Sequence, residues 1–467
     1  MITETSISRI QQLFELQKSH QWVVRNSTAE ERKAKLRKLK DVVQKYLPEV
    51  VEAVIEDVQK PRFEVFSEVS SIPGVIDKTI AELEEWMKPR DVPVSMNPQS
   101  KAKVFYEPKG VCLIFGPWNY PFTLVIQPLV EAIAAGNCCI LKPSDLTPAV
   151  SEVTAKVIES VFDEEEVAVV HGDVDVANAL LDFPFNHIFF TGSTNVGKIV
   201  MAAAAKHLAS VTLELGGKSP VIIDEGVDLK RVAERIGWGK GFNCGQTCLA
   251  PDYGFILESQ KNAFIEYMRS FIETAYRNEN GEFNQEDLAQ IVNEKNFNRV
   301  KRLFEDAINK GAIVELGGTF DEGSRKIEPT ILSNVSDNML IMQEEIFAPI
   351  FPIMTYEKLQ DVVEYLQDKD KPLALYFFSN KEDNIDYILA NTSSGGVCIN
   401  DVMVHNAEQN LPFGGANTSG LGSYHGFAGF KEFSHEKSVL FNTPTEYEKM
   451  AYPPYRGKLE MLMRNQK

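Results

Sequence analysis

The sequence predicts an α/β fold built on parallel sheets, and three observations carry that prediction. From residue 110 onward, short apolar runs alternate with amphipathic helical segments, the pattern of βαβ units whose sheet is covered on both faces. A second α/β stretch begins at VTLELGGKSPVII, residues 211–223. The length of 467 residues, at roughly 150 per domain, asks for two large domains or three. No internal repeat or low-complexity segment competes with this reading.

Each element follows in order. Residues 6 to 88 read as successive helices. Ser27 and Thr28 precede Glu30 and Glu31 at capping-box spacing, and Leu36, Leu39, Val43 and Leu47 fall on one helical face. Pro61 and Pro73 separate the next segments. This region is expected to be a packed helical layer without chemistry. Residues 90–105 are turn-rich and suit an exposed hairpin or arm. Strands are then expected at GVCLIF, NCCILK, EVAVV, NHIFFT and VTLEL, with helices between them. The second stretch holds strands at GFILES, PTILS, FAPIFPIMTY and LALYFFS and two charged helices over 260–310. The last segment, from GGVCIND, is rich in Gly and Asn up to Gly429 and strand-like through Phe441.

Charge and cysteine content narrow the function classes. With 48 Lys+Arg against 66 Asp+Glu, the net charge of −18 repels nucleic-acid backbone and anionic lipid, so polynucleotide binding is not expected. Cys112, Cys138, Cys139, Cys244, Cys248 and Cys398 are too few and too uneven for a disulfide framework, and no Cys/His spacing suits a metal site. Reduced thiols and an N-terminus without an apolar signal core point to a cytoplasmic location. No stretch is apolar over the ~18 residues a membrane span needs, so no integral anchor is expected.

Five segments could carry chemistry, and each has a bland alternative. FTGSTNVGK places Gly192 and Ser193 between a strand and a helix, as either an anion-binding turn or a plain tight one. KPSD puts Lys142 and Asp145 past a strand, to hold ribose hydroxyls or phosphate, or simply to cap the next helix. GQTC sets Cys248 on a polar turn, reactive or an inert packed thiol. Glu214 sits in the apolar run TLELGG, where desolvation would raise its pKa toward general-base use; the alternative is an acid with its head in solvent. PWNYP holds Asn119 between prolines, as a stiff oxyanion donor or a structural turn.

Taken together, FGPWNYP, LKPSD, FTGST, LELGGKSP, GQTC and EEIFAP in this order resemble the aldehyde dehydrogenase superfamily, from about Arg25 to residues 433–439. LPFGGANTSGLGSYHG and YPPY resemble its class 3 branch, which includes fatty and aromatic aldehyde dehydrogenases. The resemblance implies two Rossmann-like parallel-sheet α/β domains plus a β oligomerisation arm. On that pattern residues 1–88 and 106–212 bind the dinucleotide, 213–400 form the catalytic domain, 89–105 and 401–445 form the arm, and 446–467 are a C-terminal tail.

It further implies oxidation of aldehydes, medium- or long-chain aliphatic or aromatic, to carboxylic acids with NAD, NADP being possible. Cys248 would be the nucleophile, Asn119 and the Cys248 N–H the oxyanion donors, and Glu214 the base that activates water against the thioester. Lys142 and Asp145 match positions at the adenosine ribose, Gly192 and Ser193 the pyrophosphate turn, and Glu345 with Phe347 the nicotinamide ribose. Trp118 and Leu215 match positions beside the nicotinamide. No metal is implied, and a homodimer is. Relatives use the tail as a membrane anchor or beside the substrate entrance; this one lacks an anchor's apolar length.

Asp145 departs from the Glu common in NAD-preferring relatives and leaves space near the 2′ position, so NADP tolerance is expected. Ala348 replaces a frequent Gly and should be tolerated. Cys244 is near enough in sequence to trap Cys248 as a disulfide under oxidation. The rival readings are a CoA-acylating enzyme, a thiol esterase, and a catalytically silent structural relative.

Overall fold

A computed structural model describes residues 3–280, 283 and 286–464. The first half is organised on a six-stranded sheet. Its order is Gly420–Leu421, Ser210–Glu214, His187–Thr191, Val111–Phe115, Cys138–Lys142 and Val167–Val169, parallel except for the first. Strand alternation divides its side chains between two cores. Cys112, Ile114, Cys139 and Leu141 face the large core shared with the second half. Val111, Leu113, Phe115, Cys138 and Ile140 face a smaller one with Ile10, Phe14 and Phe185.

The second half is organised on a seven-stranded sheet. Its order is Ile313–Leu316, Thr330–Ser333, Ile350–Tyr356, Tyr253–Leu257, Pro220–Ile223, Ala374–Phe378 and Gly396–Ile399. Only the edge strand Ile313–Leu316 runs antiparallel. These are the doubly covered α/β sheets that the alternating pattern predicts.

The expected arm is a three-stranded antiparallel sheet. Lys101–Pro108 lies between Arg90–Val92 and Ser434–Phe441, with Lys101 opposite Phe441 and Pro108 opposite Ser434. The third strand lies in the 401–445 segment that the resemblance groups with residues 89–105.

The N-terminal layer comprises Ile7–Arg25, Ala29–Val58, Arg62–Val69 and Ile72–Trp86. Thr28 and Glu31 form the capping box. Leu36, Leu39 and Val43 are buried. The second helix continues through Pro48 to Val58. Pro61 then sits at the N-cap of the next helix and Pro73 in the first turn of the one after it. A short helix, Gly426–Glu432, interrupts the segment read as irregular. Among the described residues no helix is long and apolar enough to cross a membrane, and no His/Cys/Asp/Glu group could hold a metal ion. Residues 465–467 of the tail lie outside the described residues.

Candidate active site

Ligand sites in parallel α/β sheets form where strands end and loops splay apart. Val111–Phe115 ends in Gly116–Pro121, which carries Trp118 and Asn119; Ser210–Glu214 ends at Glu214 itself; and a turn before Tyr253–Leu257 carries Cys248. The two loops are tied together. Asn119 is 5% exposed and its Nδ2 donates to the Gln246 carbonyl at 3.0 Å. Tyr120 Oη and Thr247 Oγ1 share a hydrogen bond of 2.6 Å. Asn243 Nδ2 donates to the Asn119 carbonyl at 3.2 Å and to the Gln246 carbonyl at 3.0 Å. An amide nitrogen has two N–H groups, so Asn119 keeps one for a ligand.

The cysteine turn is held in an unusual shape. Asn243 (φ 49°) and Cys244 (φ 55°) both occupy the left-handed region, ahead of Gly245 (φ 69°). For L-residues this costs about 1–2 kcal/mol each, less for Asn. The Gln246 side chain helps to offset it. Its Nε2 donates to the carbonyls of Asn243 (3.1 Å) and Gln290 (2.8 Å), and its Oε1 accepts the Val292 N–H at 3.0 Å. A Cβ on Gly245 would lie 2.6 Å from the Ala348 carbonyl oxygen, so glycine is required there. Ala348 itself is fully buried without displacing the loop.

Electrostatics join the parts. Cys248 is partly exposed, yet burial pushes its thiol up to about 12, with the carboxylates of Glu345 and Glu214 adding to the shift. Glu214 is 4% exposed, and neither carboxyl oxygen has a hydrogen-bond partner. Burial, with Glu432 and Glu131 nearby, holds its pKa well above the usual carboxylate range.

Of the residues expected at the cofactor, Glu345 lines a cavity beside Gly216 and Gly217. Glu345 Oε1 accepts the Gly217 N–H at 3.2 Å, and a Cβ on Gly216 would stand 2.3 Å from Glu345 Oε2. Burial pushes the Glu345 carboxyl up to about 7, the Gly217 N–H pulling the other way. Arg299 fixes this loop by donating to the carbonyls of Glu345 (2.8 Å) and Ile346 (2.7 Å), and Asp252 accepts the Ile346 N–H at 2.9 Å. Phe347 (φ 51°) meets Trp118 edge to face at 5.6 Å. A cavity of about 510 Å³ runs past Thr194, Asn195, Lys198, Gly216, Gly217 and Glu345.

Ser193 caps the helix Thr194–Ala205, its Oγ accepting the Val196 N–H at 3.4 Å. Gly192 and Gly197 are cradles: a Cβ would meet the Phe190 ring at 2.5 Å and Leu215 at 2.7 Å. Leu215 is thus buried beneath the capped helix end. Lys142 is buried, its Nζ donating to the Pro143 carbonyl at 2.9 Å, and its pKa is lowered by that burial. Asp145 stands exposed beyond it and acts on it as a counter-charge. Close backbone approach, a helix N-terminus and a buried lysine fit a dinucleotide.

Cys244 and Cys248 have different surroundings. The Cys244 thiol is fully buried, takes the Ile327 N–H, and has Glu64, Lys326 and Lys240 as charged neighbours, whereas those of Cys248 are Glu345 and Glu214. All six cysteines are free thiols.

Sequence reading also missed the support from the N-terminal helices. Lys60 and Glu68 form an ion pair at 2.7 Å with side chains only 1% and 5% exposed, and Lys60 Nζ lies 3.9 Å above the Tyr120 ring. Glu64 Oε2 accepts the Asn243 N–H at 2.8 Å. No local signal distinguishes these residues from the solvated charges of an amphipathic helix.

The comparisons with known proteins agree with this geometry. Residues 3–439 match the aldehyde dehydrogenase family. The chain is 53% identical over 432 residues to AldX of Bacillus subtilis (strain 168), covering 92% of this chain and 97% of that protein. It is 42% identical over 430 residues to a rat (Rattus norvegicus) aldehyde dehydrogenase named as dimeric and NADP-preferring, covering 91% and 93%. The solved substrate-bound structure of Staphylococcus aureus AldH superposes with a TM-score of 0.91 at 39% identity, covering 98% of this chain and 99% of that one. A chain organised on two α/β sheets, with the Asn119 loop bonded to the turn that bears Cys248, thus belongs to the aldehyde dehydrogenase family, the NAD(P)-dependent oxidoreductases of aldehydes.

Proposed function

We propose that Cys248 is the nucleophile of this aldehyde oxidation, with Asn119 as oxyanion donor and Glu214 as the base of hydrolysis. The observation that carries the reading is the hydrogen bond from Asn119 Nδ2 to the Gln246 carbonyl, which fixes the amide beside the turn that bears the thiol. Cys248 attacks the aldehyde carbon as its thiol proton passes to water, the C–S bond forming while the carbonyl π pair moves onto oxygen. Charge then appears on the former carbonyl oxygen, where the remaining Asn119 N–H and the Cys248 backbone N–H meet it. When bound, NAD(P) supplies the acceptor for the hydride. The acyl group stays on Cys248 as a thioester. Glu214, whose free oxygens and raised pKa make it a strong base once ionised, takes a proton from water, and the hydroxide equivalent releases the acid.

Glu345, Phe347, Trp118 and Leu215 serve the nicotinamide end, Gly192 and Ser193 the pyrophosphate, and Lys142 with Asp145 the adenosine ribose. NAD use with NADP tolerance is supported by the short Asp145 side chain. Medium- or long-chain aliphatic or aromatic aldehydes are the proposed substrates, a reading in keeping with the buried rings of Tyr376 and Tyr424, which lie near Cys248. A homodimer is supported by the open edge Ser434–Phe441, where Leu440 and Phe441 are exposed, and by the rat relative named as dimeric. The division of the chain into dinucleotide, catalytic, arm and tail segments stands with this reading. So does a cytoplasmic location, which six free thiols support.

NADH formation from a medium-chain or aromatic aldehyde, followed with and without CoA, tests the reading. Turnover without CoA supports hydrolysis, and strict CoA dependence points to an acylating enzyme. Ester cleavage without any NADH points to a thiol esterase.

A further inference from the structure

The turn that bears Cys248 starts with two non-glycine residues in the left-handed region, Asn243 and Cys244. Such a pair persists only where the surroundings hold it. Its local bonds come from Gln246 and from the Asn243 side chain. Others come from far away, one of them to the Asn243 backbone N–H. Glu64, on the helix Arg62–Val69, accepts the Asn243 backbone N–H at 2.8 Å across 179 residues of sequence. Asn243 in turn donates through Nδ2 to the carbonyl of Asn119. One carboxyl thus sits at the head of a bonded chain running to both the oxyanion loop and the cysteine turn.

We propose that Glu64 is a positioning residue for acylation: by fixing Asn243 it holds the thiol of Cys248 and the amide of Asn119 in mutual register. The proposal rests on the roles given above to Cys248 and Asn119. Glu64 touches neither substrate nor cofactor positions, so its effect falls on the rate of attack and not on dinucleotide affinity.

The role belongs to the acceptor oxygen, not to the charge. Burial pushes the Glu64 carboxyl up to about 7, while the Asn243 N–H and Lys60 pull it down and Glu68 and Asp287 push it up. Ionised and neutral forms therefore both occur near neutrality, and each offers an oxygen to Asn243. Glutamine keeps such an oxygen. Methionine has similar length and volume but lacks a comparable acceptor.

The test compares Glu64→Gln with Glu64→Met in the full chain, with NAD and a saturating aldehyde. Folding is checked first by thermal melting. Three quantities are then read: the pre-steady-state NADH burst rate, the rate of Cys248 alkylation by iodoacetamide, and the dissociation constant for NAD. Glu64→Met should slow burst and alkylation at least about 10-fold, with NAD affinity within roughly 2-fold. Glu64→Gln should stay within about 3-fold of the parent on all three.

A folded Glu64→Met enzyme with a normal burst overturns the proposal, and so does a Glu64→Gln enzyme as slow as the methionine variant. If Glu64→Met does not fold, Glu64→Ser, whose hydroxyl stops short of the Asn243 amide, takes its place with the same expectations. Cys248→Ser separates this from failure of the underlying reading. A parent-like burst in that variant removes the nucleophile assignment itself, whereas a dead Cys248→Ser beside a normal Glu64→Met removes only the role of Glu64.

Discussion

Asn119 reaches across 127 residues of sequence to donate its side-chain N–H to the backbone carbonyl of Gln246, at 3.0 Å. That bond uses one of two amide hydrogens and orients the other, so the donor is set before an oxyanion exists. Preorganisation of this kind is where a single donor gains most of its catalytic value.

Asn119→Ala should therefore lower kcat by about 10²–10³ while the fold stays intact. Asn119→Asp should fare no better, because a carboxylate offers no donor and repels the forming charge. Burst kinetics with a good aldehyde check this, and a loss below 3-fold for Asn119→Ala would contradict the role of the amide.

The raised pKa of Glu214 fixes the sign of a pH effect. A carboxyl held above its usual range is protonated at acid pH and becomes a base only as pH rises through its folded-state value. Where hydrolysis limits turnover, kcat should climb with pH well above the range of an ordinary carboxylate. The burst amplitude should not follow that limb. In Glu214→Gln the limb should vanish along with most turnover, and a retained limb would assign it to another group.

Glu131 offers a stability test with the same physics. It is completely buried, accepts the His425 N–H at 2.9 Å, and burial holds its pKa well above the ordinary value. Folded protein keeps the proton that unfolded chain releases near pH 4.5, so stability is fullest below that pH and falls as pH rises toward the folded-state value. Glu131→Gln should remove that slope. Urea melts at pH 5 and pH 8 check it: the glutamine variant should gain on the parent between the two, and an unchanged difference would refute the linkage.

The Lys60–Glu68 pair should be costly to break on one side only. Removing a single partner leaves a buried charge uncompensated, at about 3–5 kcal/mol. Lys60→Met and Glu68→Leu should each destabilise strongly, and Lys60→Met/Glu68→Leu less than their sum. Chemical denaturation of the three variants measures the coupling, and simple additivity would place the pair outside the buried interior.

With Asp145 at the adenosine ribose as proposed, cofactor choice turns on its length. Glu at this position would reach both ribose hydroxyls and crowd a 2′-phosphate. Asp145→Glu should lower kcat/KM for NADP relative to NAD by roughly 10-fold, about 1.4 kcal/mol. Complete silence of the parent enzyme with NADP would contradict the tolerance proposed here.

The sheets were legible because fully buried strands leave continuous apolar runs, and Val111–Phe115 and Cys138–Lys142 are such runs. Candidate residues at strand ends were legible for the same reason: Glu214 is conspicuous as an acid in an apolar strand. What escaped was everything decided by distant partners. Charges on the short helix Arg62–Val69 follow the pattern of a solvated face, and Phe63 there is indeed 83% exposed. Nothing local shows that Glu68 meets Lys60 and Thr123, or that Glu64 meets Asn243. Nor does its place four residues before Cys248 show that the Cys244 thiol is fully buried and takes the Ile327 N–H.

The central claim is that a thioester forms on Cys248 and waits for Glu214. Mass spectrometry of the Glu214→Gln enzyme, quenched after mixing with NAD and aldehyde, tests it most directly. The peptide containing Cys248 should carry the acyl mass in amounts matching the NADH burst, and Cys248→Ser should carry none. An NADH burst without that adduct, or an adduct on another residue, would contradict the account.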